Sequence, residues 1–598
     1  MRQADSAAPS DQQSDSRSKD VPTRYSVAAP GTRPAPDPGT RRVAIFVAHG
    51  MGQQIPFETL DSVAESLRAY DSALTGRDTK PVSNSIKAED QWLARIELTL
   101  KSGSDELDAH VYEGYWAPMT EGRINLRQVM EFLGGAGTNG LRVARKTFRR
   151  WLMGRYQEYP TPIRIVVYLL VALATLAALV VLNSTIAIVA AARALFSETP
   201  WWLSDGLFAD LTTTFNGVVT AMAVFGISLA IAHYMRGWAP VVARRIWGWL
   251  TALTFLIAIF AIVIAGVSVI ALFFLHIRGG VAAGAELWQN CFSKSALDGF
   301  NRGFDQWLAL LVATLLGLRL AWWLGVIGFR FLRDLSEASG RWLTLSVVVV
   351  FVLLVLAIVM VVVRCFPLTS AAGGVETLKR GIAWPLVIIA SAFVRSVLVQ
   401  FLGDVAIYVM PYKLDAFNDL RKEIKDAVYR IAHAVYALKD KDGKNLAYDR
   451  VIVLGHSLGG VIAYDALNRL IQEDRAVPAS SALDVVGRTP LFLTFGSPLD
   501  KTAFIFGAQG QGTTEAREAL AASVQPMIQD YIYRPREWIN IYSPWDIISG
   551  NLDLYDLPGS TDEKAVKNRK DPDATTLLMA HTEYWSDRIL VQTLYDAL

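Results

Sequence analysis

The sequence predicts an α/β domain split in two by an inserted all-α bundle of transmembrane helices. Three observations point there. Near the C-terminal end, Arg450-Val451-Ile452-Val453-Leu454 is an apolar, β-branched run that reads as a buried strand, and the segment from Gly460 to Leu467 after it reads as a helix. Near the N-terminal end, residues 43–48 read as a second buried strand running into a glycine turn. Between them, from about residue 163 to 410, the chain is dominated by apolar runs near 20 residues or longer, the length that spans a bilayer core of about 30 Å.

Taken in order, residues 1–40 are rich in Ser, Pro, Asp, Gln and Arg without an apolar core, and read as a disordered tail with no signal peptide. Residues 41–140 carry the first strand, a helix near 57–70, and strands near 93–100 and 109–112. Residues 141–411 form the transmembrane insertion. Its clearest runs are 165–192, 215–234, 247–277 and 343–363; runs 307–332 and 382–402 each carry an arginine, Arg319 and Arg395, which read as snorkelling or paired inside the bundle. Residues 412–598 carry the second strand-turn-helix and further strands near 491–495 and 538–542.

If residues 41–140 and 412–598 build one domain, both lie on the same side of the membrane. The number of spans is then even, four or six, with six runs available. Arg142, Arg145, Lys146, Arg149, Arg150 and Arg155 crowd the approach to the first run, Arg236, Arg244 and Arg245 follow the second, and Lys413, Arg421 and Lys422 mark the exit. By the positive-inside rule these loops, the α/β domain and both termini are expected in the cytoplasm. The poorest fit is the loop with Lys379 and Arg380. Cys291 and Cys365, the two cysteines of the chain, fall on the expected outer face, as a disulfide or as two isolated thiols. No metal-ligand spacing occurs, no cofactor is called for, and a net charge of +2 gives no reason to expect a nucleic-acid partner.

The turn after the second strand is Gly455-His456-Ser457-Leu458-Gly459-Gly460. A G-x-S-x-G turn between a strand and a helix pushes the serine side chain clear of the backbone, with glycines where helix and strand crowd each other. With Ala48-His49-Gly50-Met51-Gly52 after the first strand and Thr494-Phe495-Gly496-Ser497-Pro498-Leu499 after the next, these residues resemble the α/β-hydrolase superfamily, most closely its lipases and esterases. The resemblance covers the two ends of the chain and not the middle. It implies an α/β-hydrolase domain interrupted by the membrane insertion, with Ser457 as nucleophile.

The family's order of catalytic residues is Ser, then Asp or Glu, then His. Of seven histidines only His581 follows the turn, so it is the expected base. The acid belongs on a loop after a strand between the two. Asp546, after strand 538–542, is favoured over its rival Asp500, after strand 491–495; Asp553 and Asp556 are weaker candidates. The oxyanion hole needs two backbone N–H groups. One is expected from Leu458, the other from Met51 or a neighbour such as Gly50, since glycines permit close backbone approach. The function expected on this basis is membrane-anchored serine hydrolysis of an ester-type bond, the substrate a lipid or other hydrophobic ester delivered from the bilayer. The same three residues would serve a thioesterase or amidase. A transporter or scaffold with a regulatory hydrolase-like domain is the rival from another class. Oligomeric state is not legible.

Overall fold

The computed structural model describes residues 26–27, 41–50, 55–88, 91–102, 105–120, 123, 126–144, 148–160, 162–195, 205–235, 240–279, 415–440, 442–509, 515–577 and 579–598. The chain divides into two compact units. One comprises residues 1–125, 138–166 and 400–598; the other comprises 126–137 and 167–399.

The first unit is a nine-stranded sheet with helices on both faces. Its strands are β1 (Ser26–Val27), β2 (Arg41–Ala48), β3 (Val82–Ala88), β4 (Gln91–Ser102), β5 (Asp105–Gly114), β8 (Arg450–His456), β9 (Leu491–Phe495), β10 (Glu537–Tyr542) and β11 (Lys567–Lys570). They lie in the order β1-β3-β4-β5-β2-β8-β9-β10-β11. Only β4 runs against the rest, pairing antiparallel with β3 and β5. β2 sits in the middle, between β5 and β8, with Val43 opposite Arg450 and Ala48 opposite Gly455. The sheet is therefore built from both ends of the chain. Central strands covered on both faces must be apolar throughout, and β8 and β9 are buried along almost their whole length.

The alternation of side chains assigns the two faces. Val43, Ile45 and Val47 point toward helix α1 (Glu58–Thr75), whose Leu60, Val63 and Leu67 recur at helical spacing, and toward Leu590 and Leu594 of the C-terminal helix Arg588–Tyr595. Phe46 and Trp538 face the other way. There Val428 of a helix at Asp415–Ala437 packs near Phe46, and Tyr464 of a helix at Leu458–Ala476 stacks on Trp538 at 5.7 Å. A two-stranded hairpin, β6 (Phe148–Leu152) and β7 (Arg155–Tyr159), also belongs to this unit. Phe148 packs on Phe504, and the Tyr159 hydroxyl donates to the Asp556 carbonyl at 2.7 Å. Helix α2 (Leu126–Ala144) is shared between the units.

The second unit contains α3 (Ile163–Leu195), α4 (Asp205–Met235) and α5 (Val241–Gly279), of which α3 begins in the first. All three are long and apolar enough to cross a membrane; their most apolar stretches, Ile163–Val189, Asp210–Met235 and Val242–Leu272, have mean hydropathies of 3.0, 1.9 and 3.0. On α5, Ala258, Ile262, Ala265, Val269 and Leu272 recur every three or four residues and are buried, while Leu253, Leu256, Phe260, Val267 and Phe274 are more than half exposed. An apolar outer face is costly in water and free in hydrocarbon. Small residues carry a close approach: a Cβ at Gly266 would fall 2.7 Å from that of Ala178 on α3. Inside, Ser228 and Thr251 share a hydrogen bond at 2.9 Å, and the Trp247 indole donates to the Ser228 carbonyl.

These helices overlap the expected runs 165–192, 215–234 and 247–277, and α4 starts ten residues earlier than expected, at Asp205. Runs 307–332, 343–363 and 382–402, together with Cys291, Cys365, Arg319 and Arg395, lie outside the described residues.

Candidate active site

In a parallel sheet the loops that follow the strands gather at one edge, where ligands of open α/β sheets bind. Here β2, β8, β9 and β10 end in His49-Gly50, Ser457, Gly496-Ser497 and the 543–549 turn.

Ser457 has φ 53° and ψ −132°, a left-handed backbone that a side chain adopts only when its surroundings impose it. They do so here. The Ser457 N–H donates to the Phe495 carbonyl at the end of β9, and its carbonyl accepts from the Gly460 N–H, both at 3.0 Å. The helix that follows starts so close to β2 that a Cβ at Gly459 would meet the Ala48 and His49 carbonyl oxygens at 2.2 Å. This is why the turn contains glycine at that position.

The serine hydroxyl meets His581 Nε2 at 2.8 Å, and His581 Nδ1 meets Asp546 Oδ2 at 2.9 Å. All three side chains are buried. His581 lies in the short helix Ala580–Glu583 and Asp546 in the turn after β10. Burial alone would push the Asp546 carboxyl up; the His581 imidazole beside it and the Ile548 N–H, which donates to Oδ1 at 2.8 Å, reverse this and hold it at about 2. An ionised carboxylate on Nδ1 fixes the tautomer whose Nε2 accepts the serine proton.

Asp500 sits elsewhere. Its carboxylate accepts from the Asp553 and Leu554 N–H groups, and burial pushes it up to about 7. Asp553 is exposed, and Asp556 is bound by the buried Arg534 guanidinium at 2.5 Å. None of the three reaches His581 in place of Asp546.

Leu458 is the first residue of its helix, so its N–H belongs to the helix N-terminal donors that have no intrahelical partner. Gly50 lies against the serine: a Cβ built on it would be 3.0 Å from that of Ser457. Met51 lies outside the described residues.

Several side chains that hold the site were not singled out from the sequence. His49 donates from Nδ1 to the Gly50 carbonyl at 2.7 Å and accepts at Nε2 from the Trp116 N–H at 2.9 Å, which anchors the turn after β2. Burial draws it down to about 4, so it stays neutral in that double role. His456 donates from Nε2 to the main-chain carbonyl of His581 at 2.9 Å; burial draws it down to about 3. Lys501 donates to the carbonyls of Ile547 and Ser549 in the acid turn, at 2.5 and 2.9 Å. Tyr584 donates to Asp546 Oδ2 at 3.0 Å. A signal was present only for Tyr584, which stands three residues after His581 and so shares its helical face.

Among the described residues no cluster of three or more His, Cys, Asp or Glu side chains is arranged to hold a metal ion. No family model matches this chain, and neither a curated protein nor a solved structure does.

Proposed function

We propose that this protein is a membrane-anchored serine hydrolase of α/β-hydrolase type, cleaving an ester-type acyl bond of a lipid or other hydrophobic substrate through an acyl-enzyme. The observation that carries the reading is the unbroken relay from Ser457 Oγ through His581 to Asp546, with contacts of 2.8 and 2.9 Å, on a serine held at positive φ. The sheet supports it too, since its nucleophile strand β8 lies beside β2, whose turn approaches the serine.

In this reaction His581 takes the Ser457 proton as the oxygen attacks the acyl carbon. The Leu458 N–H and the turn at Gly50 and Met51 receive the developing oxyanion. His581 then protonates the departing alcohol oxygen, and Asp546 stabilises the imidazolium. Water, deprotonated by the same imidazole, releases the acid. The three residues would act alike on a thioester or an amide; the apolar helices, which bring the domain to a bilayer, favour an ester dissolved there.

Because β2 and β8 are neighbours in one sheet, the segments before and after the apolar block belong on one side of the membrane. The basic residues Arg236, Arg244 and Arg245 after the second run and Lys413, Arg421 and Lys422 at the exit favour the cytoplasm for that side and for both termini. Reporter fusions at Met1 and after Leu598 should agree; opposite sides would contradict the topology. The chemistry is tested by a fluorophosphonate probe on the full-length protein in detergent. Labelling should map to Ser457 and vanish in Ser457→Ala. Unlabelled wild type, or label on another residue, would refute it.

A further inference from the structure

Tyr584 is fully buried, and all the polar partners of its hydroxyl lie in one turn, the one that carries the acid. Ser543 at the start of that turn donates its N–H to the phenol oxygen at 2.8 Å. Asp546 in the middle receives the phenol proton at 3.0 Å, and Ser549 at the end lies 3.0 Å from the same oxygen. A phenol has one proton to give. With that proton on the carboxylate, the Ser543 N–H and the Ser549 hydroxyl both donate to the phenol, so one oxygen closes the turn from both ends.

The carboxylate is correspondingly confined. Oδ1 is occupied by the Ile548 N–H, and Oδ2 accepts from both His581 Nδ1 and the Tyr584 hydroxyl. Without Tyr584, Oδ2 would lose one of the two donors that fix it, and the carboxylate would keep only the His581 and Ser549 side chains beside the Ile548 N–H. Tyr584 follows His581 by three residues, across the junction from the helix Ala580–Glu583 into the 3₁₀ turn Tyr584–Ser586. One short stretch of helix thus presents the base and the clamp on its acid.

The ring is positioned as tightly as the hydroxyl. Gly496, at φ 59°, passes so close that a Cβ there would meet the Tyr584 ring at 3.0 Å, and Phe495 packs edge-on at 6.3 Å. The same stretch of β9 holds the nucleophile, because the Phe495 carbonyl accepts from the Ser457 N–H. Phe495-Gly496 therefore meets both the elbow and the clamp.

We propose that Tyr584 is a positioning residue of the hydrolytic site, acting through Asp546 to fix the carboxylate against His581. This rests on the serine-hydrolase reading above, in which Asp546 orients the base. A tyrosine that merely fills the core would support folding and leave the chemistry per folded molecule alone.

The test uses full-length protein in detergent, p-nitrophenyl butyrate as substrate and a fluorophosphonate as titrant. Activity is expressed per labelled Ser457, so that partial unfolding of a variant does not count. Tyr584→Phe should lower kcat about ten- to hundredfold, the scale of a hydrogen bond to a charged group, with KM little changed. The phosphonylation rate is then compared in Asp546→Asn and in the double variant Asp546→Asn/Tyr584→Phe. If the hydroxyl works through the carboxylate, the second substitution adds little to the first. An equal further loss when Tyr584→Phe is added to Asp546→Asn, or a Tyr584→Phe enzyme with wild-type kcat per site, would overturn the proposal. A wild-type protein that takes no label at Ser457 would instead overturn the serine-hydrolase reading, and this proposal with it.

Discussion

The α/β unit contains two Asp–His–hydroxyl chains, alike in contacts and burial and different in the backbone that carries the last oxygen. At the ends of the strands, Asp546 meets His581 at 2.9 Å and His581 meets Ser457 at 2.8 Å. Within the sheet, Asp108 meets His110 at 3.0 Å and His110 meets Tyr448 at 2.8 Å. Burial does not tell them apart, for His581 is 7 % exposed and His110 6 %. Surroundings do. The second chain lies along β5 beside β4, where Glu97 pairs with His110 and Arg95 with Tyr112 in register. Tyr448 is locked on all sides: its hydroxyl accepts from the Arg95 guanidinium at 3.1 Å and also meets that of Tyr112. Burial drives the Tyr448 phenol well above its ordinary range and His110 below its own, so both stay neutral. Ser457 instead stands on a strained turn at the open end of the sheet. On the proposed reading, such a relay acts as a nucleophile only where the backbone holds its last oxygen at the strand ends, as the positive φ of Ser457 does.

Four experiments sharpen or break this contrast. The largest effect should come from taking away residues 41–160. That removes the turn beside Ser457 and two of the three members of the Asp108 chain, Asp108 and His110, yet leaves Ser457, Asp546 and His581 in the sequence. With β2 gone, β8 loses a neighbour along six paired residues. A chain of 412–598 alone should be insoluble or inactive, and one joining 41–160 to 412–598 through a flexible linker should be soluble. A stable, active 412–598 would break the one-sheet account.

Next come the two relays themselves. Ser457→Ala should cost about a millionfold in kcat on a short activated ester. Tyr448→Phe should leave kcat per folded molecule within about twofold and instead destabilise by about 1–3 kcal/mol, through the buried donors it strands. The contrast fails if Tyr448→Phe is the silent enzyme. Among the carboxylates, Asp546→Asn should lower kcat about ten-thousandfold, by turning the imidazole to the wrong tautomer. Asp500→Asn should cost far less, as it alters only the hold on residues 553–554. If the two results are exchanged, the acid sits one strand earlier.

The smallest effect is in acid stability. His49 and His456 are held neutral at about 4 and about 3, below the ordinary value near 6.5. Between those values the unfolded chain binds protons that the fold refuses, so this part of the stability is complete above about pH 6.5 and drains away as pH falls toward 4. His49→Asn, which retains an acceptor for the Trp116 N–H, should shrink the drop in melting temperature between pH 7 and pH 5 by about 2–4 °C. An unchanged drop would show that His49 is not a source of the acid sensitivity.

What the sequence revealed follows the range of the interactions. The elbow is local, a strand, a glycine turn and a helix within twenty residues, and its period changes sharply enough to read. The apolar runs are legible for the same reason, since bilayer thickness sets one length for each. His581 stood out because no other histidine follows Ser457. Lys501 and His456 hold the site through main-chain carbonyls of distant loops, and a carbonyl leaves no mark in a sequence. The hairpin at 148–159 was hidden by its own chemistry: Arg149, Arg150 and Arg155 read as a basic membrane flank, whereas Arg149 pairs across the hairpin with Glu158 and Arg150 lies over the Tyr555 ring at 4.3 Å.

The central place of β2 bears on how the protein is made. Its neighbour β8 is translated about 400 residues later, and at about 5–20 residues per second the ribosome needs tens of seconds to reach it. Throughout that interval β2, apolar along nearly its whole length, is a nascent sheet edge awaiting its mate. Synthesis must therefore shield that edge while the long apolar helices between β2 and β8 are made. The sheet closes only once β8 has been made, so a product truncated before residue 450 ends with that side of β2 unpaired.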